Sequence, residues 1–226
     1  MNTVYLVRHG ENTANLTHEF SYKVIDYSLT PKGVLQAQQT AEFFKDKAID
    51  EIYASPLKRA HETANIIGQA VRLSVTTMEQ LREVNVGDLE LQPPTEENWI
   101  RHNTIISGWL TNRPEVSFPN GENYPQLLQR WRSALSQILE GKSGKNIVIV
   151  AHGGIFTIPL RDICSNVSLE TTIRKTQNNN CSVTIVELEM QDGLPTGTLR
   201  DWALCTHLTG EAANFVAGNP YPKHYE

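Results

Sequence analysis

Apolar runs and stretches of helical period alternate along the chain. "TVYLV" (3–7) is a β-branched apolar run. "NIVIVA" (146–151) is continuous and apolar, as a strand covered on both faces of a parallel sheet must be. "IDEIYAS" (49–55) is a shorter strand, closed by Pro56. Between these runs the spacing predicts helices over 29–48, 56–71 and 123–140. The first opens with Thr30 as N-cap and Pro31 at the first helical position, and the last is stopped by Gly141. A fourth helix is predicted over 154–164. "SVTIVELEM" (182–190) and "TLRDWALCTHL" (198–208) flank the turn "QDGLPTG" and read as a hairpin at the sheet edge. This alternation predicts an α/β fold of three layers, α/β/α, with a mostly parallel central sheet and an antiparallel edge strand. Residues 91–122 depart from it. Pro93, Pro94, Pro114 and Pro119 interrupt that stretch, with Trp99 and Trp109 between them. It reads as an insertion over the carboxyl ends of the strands, within a single domain spanning 1–226.

Composition narrows the functional classes. A chain of 226 residues, 39% hydrophobic and 20% charged, is long enough to bury a sizeable core and ordinary for a soluble protein. The net charge of −5 gives no global basic field, which argues against nucleic acid or an anionic membrane as partner. Any anion site must therefore be local. Cys164, Cys181 and Cys205 form no CxxC pair and fit a reducing compartment. The N-terminus enters a strand directly and no later run could span a bilayer, so a cytoplasmic location is expected.

In an open α/β sheet, ligands bind in the crevice beyond the carboxyl ends of the strands. "TVYLV" ends in Arg8-His9-Gly10, "NIVIVA" in His152-Gly153-Gly154, and "IDEIYAS" in Ser55-Pro56, with Arg59 in the helix turn that follows. Three strands thus deliver basic groups to one edge. The glycines after the histidines, Gly10 and Gly153, let the backbone turn sharply and approach a ligand closely. Two arginine forks match the oxygens of a phosphoryl group. Binding alone requires no histidine. Two histidines point to reaction: one neutral imidazole attacks phosphorus while the other donates hydrogen bonds to the developing charge. The departing oxygen needs a proton, and Glu83 in "LREVNVGDLE" (81–90) is the residue selected for it, against the alternative of a solvated loop glutamate. Glu90 and Glu122 are the next carboxylates to consider.

Other motifs dissolve on inspection. "HETAN" (61–65) has Asn65 where a zinc site of the HExxH type needs its second histidine, and "GKS" (141–143) has Ser136 in place of the first P-loop glycine. Trp99 and Trp109 are either packing residues or a wall of the substrate pocket. Arg101, His102 and Arg113 either meet a carboxylate or second phosphate or belong to a solvated face.

Six segments in order, "LVRHGE" (6–11), "DYSLTPKGVLQAQ" (26–38), "YASPLKRAHETA" (53–64), "LREVNVGDLE" (81–90), "NGENYPQLLQR" (120–130) and "VIVAHGG" (148–154), resemble the signatures of the histidine phosphatase superfamily, the phosphoglycerate mutase-like clan. The resemblance implies that His9 is the phosphorylated nucleophile and that Arg8, Arg59 and His152 form the phosphate pocket. It also implies that Glu83 is the proton donor, that Asn15 is a further phosphate-side contact, and that neither metal nor organic cofactor is required. The implied partner is a small phosphorylated metabolite. Asn123 stands where the family often has serine, and Leu91 where glycine often follows the loop glutamate. Phosphoglycerate mutases of this clan resemble one another in an "ERHYG" segment, and the chain reads "REVNVG" there. A phosphatase is therefore expected. A mutase is the alternative within the family, and a non-catalytic phospho-ligand binder is the alternative of another class.

Overall fold

The computed structural model describes residues 1–174, 178–216 and 218–221. Six strands form one sheet: β1 (Asn2–Arg8), β2 (Glu51–Ala54), β3 (Val75–Thr77), β4 (Asn146–Ala151), β5 (Val183–Gln191) and β6 (Leu194–Leu204), in the order β3-β2-β4-β1-β5-β6. The first four positions in that order pair in parallel, and β5 and β6 are antiparallel. The helices are α1 (Thr13–Thr17), α2 (Pro31–Phe44), α3 (Lys58–Val71), α4 (Glu96–Thr111), α5 (Tyr124–Leu139), α6 (Gly153–Thr157) and α7 (Leu169–Arg174).

Alternation along β1 and β4 sorts their side chains onto two faces. Val4, Leu6, Ile147, Ile149 and Ala151 enter a core shared with Trp131, Leu135 and Ile138 of α5. Val7, Val148 and Val150 enter a second core with Phe44 of α2 and Ala60, Ala64 and Ile67 of α3. Both faces of β4 are thereby covered, which is why its run of apolar residues has no polar interruption. The result is the three-layer α/β/α arrangement.

Local signals set the helix ends. The Thr30 side chain accepts the Gly33 N–H, with Pro31 opening α2. At α5, Asn123 and Gln126 cap each other's backbone N–H groups reciprocally. The two-residue loop Asp192-Gly193 joins β5 to β6 with φ of 51° and 77°, the backbone of a type I′ hairpin.

Four expectations are corrected. The hairpin turn is tighter than "QDGLPTG", so β6 begins at Leu194 and ends at Leu204 rather than covering 198–208. The helix expected over 154–164 stops at Thr157, because Pro159 cannot continue it, and only a 3₁₀ turn at Leu160–Asp162 follows. The prolines of 91–122 bracket a regular sixteen-residue helix, α4, capped by Thr95. Trp109, Ile106 and Leu110 of α4 belong to the main core, and Trp99, Ile106 and Leu110 also line the cavity described below. Finally, α1, β3 and α7 had no predicted counterpart.

One close approach fixes the start of the site. A Cβ on Gly33 would lie 2.0 Å from the Glu11 carbonyl oxygen, and one on Gly10 would lie 2.6 Å from the Gly33 oxygen. The segment after β1 thus rests directly on the first turn of α2. Gly33→Ala should cost about 1–3 kcal/mol through forced displacement, a fall in Tm of roughly 2–12 °C for a chain of this size. Gly108→Ala in α4, where the nearest atom lies at 3.6 Å, should instead be neutral or stabilise by about 0.5–1 kcal/mol. Thermal unfolding of the two variants checks the contrast.

Candidate active site

Three adjacent strands end in register. Arg8 pairs with Ala151, the His9 N–H donates to the Ala151 carbonyl at 3.0 Å, and the Ser55 N–H donates to the Val150 carbonyl at 3.0 Å. His9 and His152 therefore leave neighbouring strands side by side, with ring centroids 5.2 Å apart, and both are buried. Arg59, in the first turn of α3, is buried beside them. All of these groups except Ser55 and His152 line one cavity of about 950 Å³, together with Asn15, Glu83, Gly153 and Gly154.

The hydrogen bonds assign the tautomer of His9. Nδ1 lies 2.7 Å from the Gly10 carbonyl, which can only accept, so Nδ1 carries the proton. Nε2 keeps its lone pair, to which the Arg59 Nε–H donates at 3.1 Å. His152 Nε2 lies 2.7 Å from the Ser55 hydroxyl, while its Nδ1 is buried with no hydrogen-bond partner. The Arg8 Nε is in the same condition. Buried polar atoms are nearly always paired, and these two belong to residues at the same strand edge.

Burial, reinforced by the Arg59 and Arg8 guanidinium groups, holds His9 well below the usual imidazole range. Burial, with Arg59, His9 and Arg8 adding to it, does the same to His152. Burial also lowers Arg59 to about 10, which leaves it a cation. Two cations and two neutral imidazoles at the end of parallel strands can bind a phosphoryl group and present a lone pair to it.

Glu83 is built into the same edge. Its carboxylate accepts N–H bonds from Val84 at 2.8 Å, Gly154 at 3.0 Å and Ile155 at 3.0 Å. The glycine this approach demands is Gly154, where a Cβ would lie 2.7 Å from the carboxylate; a Cβ on Gly153 would meet Arg8 only at 3.8 Å. Arg130 holds the strand-like stretch behind Glu83 through the carbonyls of Gln80, Arg82 and Glu83, and pairs with Glu122 at 2.7 Å. Glu122 also accepts the Asn85 N–H. The Glu90 carboxylate accepts four successive N–H groups, Tyr22 through Ile25, at 2.5–3.1 Å. Glu90 and Glu122 thus have structural tasks, and Glu83 is the carboxylate among these three that lines the cavity.

Asn15 accepts hydrogen bonds from the Asn12 N–H and the Asn180 amide through its side-chain oxygen. Trp99 and His102 line the cavity. Trp109 is packed in the core and donates to the Val116 carbonyl. Arg101 pairs with Glu97 on an exposed face. Neither Arg101 nor Arg113 reaches the cavity wall.

Sequence reasoning missed several supporting residues. The Ser21 hydroxyl and carbonyl accept from Arg59 at 2.8 and 2.9 Å. Thr63 accepts the Gly10 N–H. Asn180 donates to the His9 carbonyl, and the Asn178 carbonyl accepts from Arg8. For Ser55, its place at the end of β2 was a usable signal. Ser21 and Asn180 lie in loops whose position no local pattern fixes. Among the described residues, no group of three His, Cys, Asp or Glu side chains is spaced to hold a metal ion, and no helix is long and apolar enough to cross a membrane.

Fold and site together define an α/β protein with a basic, histidine-bearing cavity at the carboxyl ends of its parallel strands. The chain belongs to the histidine phosphatase superfamily, branch 1, whose family model matches residues 4–196. An uncharacterized phosphatase of Bacillus subtilis is 30% identical over 210 residues, covering 93% of this chain and 98% of that protein. A probable phosphoglycerate mutase of Proteus mirabilis is 33% identical over 219 residues, covering 94% and 98%. The phosphoserine phosphatase of Entamoeba histolytica, solved in complex with phosphoserine, superposes with a TM-score of 0.73 at 26% identity, over 92% of this chain and all of that one.

Neutral burial of the histidines links stability to pH. Their folded pKa values lie below that of an unfolded imidazole, near 6.5, so on acidification the unfolded chain takes up protons first. This contribution is complete above about pH 6.5 and is lost as pH falls below it, at up to about 1.4 kcal/mol per pH unit for each histidine. Urea unfolding at pH 7.5, 6.5 and 5.5 should show a slope for His152→Asn smaller than wild type by about one proton. Identical slopes would mean that His152 is not buried neutral.

Proposed function

We propose that the protein is a phosphomonoesterase acting on a small phosphorylated metabolite through a phosphohistidine at His9. The single observation that carries this reading is the His9 ring. Its Nδ1 proton is held on the Gly10 carbonyl, and its Nε2 lone pair faces the cavity end occupied by the Arg59 guanidinium. Arg8, Arg59 and His152 then bind the phosphoryl oxygens, the unpaired Arg8 Nε and His152 Nδ1 finding their acceptors there. Gly153 lies beside Arg8, and Asn15 lines the same end.

In the first step the Nε2 lone pair forms a bond to phosphorus while the bond from phosphorus to the ester oxygen breaks. Glu83 supplies the proton that turns the departing oxygen into an alcohol. In the second step Glu83 takes a proton from water, whose oxygen bonds to phosphorus as the P–N bond breaks. Inorganic phosphate leaves and the neutral imidazole returns. The cations lower the barrier by meeting charge on the transferring group in a water-poor site. No cofactor enters this scheme.

The phosphatase reading is preferred to the mutase because "REVNVG" supplies no additional basic segment to retain a bisphosphorylated intermediate. Supplied with 3-phosphoglycerate and bisphosphoglycerate, the protein should release more inorganic phosphate than isomerised product. Dominant isomerisation would reverse the assignment.

Rapid quenching with labelled substrate should trap an acid-labile phosphoenzyme on wild type and none on His9→Ala. Label retained by His9→Ala would remove His9 from its role. Glu83→Gln keeps the shape of the side chain without its proton. The first step should slow about 10²–10⁴-fold with alkyl phosphates and far less with nitrophenyl phosphate, whose leaving group needs no proton. Equal slowing of that single-turnover step for both substrates would show that Glu83 is not the acid.

A further inference from the structure

Beyond the phosphoryl end, the cavity changes character. Phe20, Val86, Trp99, Ile106, Leu110 and Ile158 line it. They come from the segment after α1, the loop after Glu83, one face of α4 and the turn after α6. The wall is fixed in place. The rings of Phe20 and Trp99 pack at 4.6 Å, and the Trp99 indole N–H donates to the His18 carbonyl at 3.1 Å. Ile106 and Leu110 are part of the main core.

The charges along the cavity are equally one-sided. Among the described residues, Arg8 and Arg59 are the only arginine or lysine side chains that line it, and both belong to the phosphoryl end. The Glu19 carboxylate also lines the cavity, half-buried and hydrogen-bonded to the Thr17 and Tyr27 hydroxyls. Apart from the His102 ring, which packs against Phe20 and Trp99, a second anionic group on the substrate would meet an apolar wall and a carboxylate. Burying such a charge without a partner is costly.

From this we infer that the distal half of the cavity selects phosphate monoesters whose leaving group is apolar and uncharged, with Trp99 and Phe20 as its contact surface and Glu19 as the element that rejects a second anion. The inference rests on the phosphomonoesterase reading for its chemistry, but the wall can be tested by binding alone.

Normal-chain alkylphosphonates keep the phosphoryl end constant while lengthening the apolar part. Calorimetric titration of wild type with ethyl-, butyl- and hexylphosphonate should show affinity rising about three- to fourfold per methylene until the cavity is filled. Propylphosphonate should bind more tightly than the nearly isosteric 2-carboxyethylphosphonate. In Glu19→Gln the second of these should gain on the order of threefold, and the first should not change. Affinity that is flat with chain length, or 2-carboxyethylphosphonate binding better than propylphosphonate, would overturn the inference. Alkyl phosphates of the same lengths have leaving groups of nearly equal basicity, so their kcat/KM should follow the same order. Hydrolysis with no chain-length dependence would overturn the inference and leave the phosphatase reading standing. A binding gradient with no hydrolysis of any ester would support the wall and sink the phosphatase reading.

Discussion

Two guanidinium groups held out of water at the end of a parallel sheet set the terms for everything around them. A buried cation is costly unless its donors are satisfied. Arg59 meets this condition with neutral acceptors: the Ser21 hydroxyl and carbonyl and the His9 Nε2. Arg8 donates to the Asn178 carbonyl, and its Nε has no hydrogen-bond partner among the described residues. Among the described residues neither arginine pairs with a carboxylate, so the edge carries uncompensated positive charge. The same two charges, added to burial, keep both histidines neutral. The neutral state of the two imidazoles and the positive field at this edge thus share a physical origin.

Such an arrangement needs rigid support, and the acidic residues outside the cavity provide it. Glu90 gathers the N–H groups of residues 22–25 and so fixes the loop that presents Ser21 to Arg59. Glu122 and Arg130 brace the stretch from Gln80 to Asn85 and so fix Glu83. Carboxylates that read alike in the sequence therefore divide between one group at the site and two that act on backbone at a distance from it.

What could be read from the chain beforehand follows from how local each signal is. Arg8-His9, Ser55 and His152 announce themselves because each ends an apolar run, and strand ends at one edge are a property of the α/β topology. The cap at Thr30 and the stop near Gly141 are likewise encoded in a few neighbouring residues. The long helix α4 is hidden in the sequence because Pro93, Pro94, Pro114 and Pro119 flank it closely and give the whole stretch an interrupted pattern. Pro159 had the opposite effect, cutting a helix that the apolar pattern seemed to continue. Ser21, Asn178 and Asn180 were beyond reach for another reason. Their partners lie 38, 170 and 171 residues away in the chain, and only the finished fold brings them together.

The sheet order carries a consequence for how the protein comes to be competent. β4 lies between β1 and β2, so the ends of those two strands are separated by a gap until a segment near residue 150 slots in. Closing such distant contacts is entropically late and slow relative to local helix formation. An ensemble in which α2 and α3 have already packed still lacks His152 until β4 takes its place between β1 and β2. The basic edge is therefore complete only once the most sequence-distant of its strands has docked, and its assembly is tied to the closure of the whole sheet.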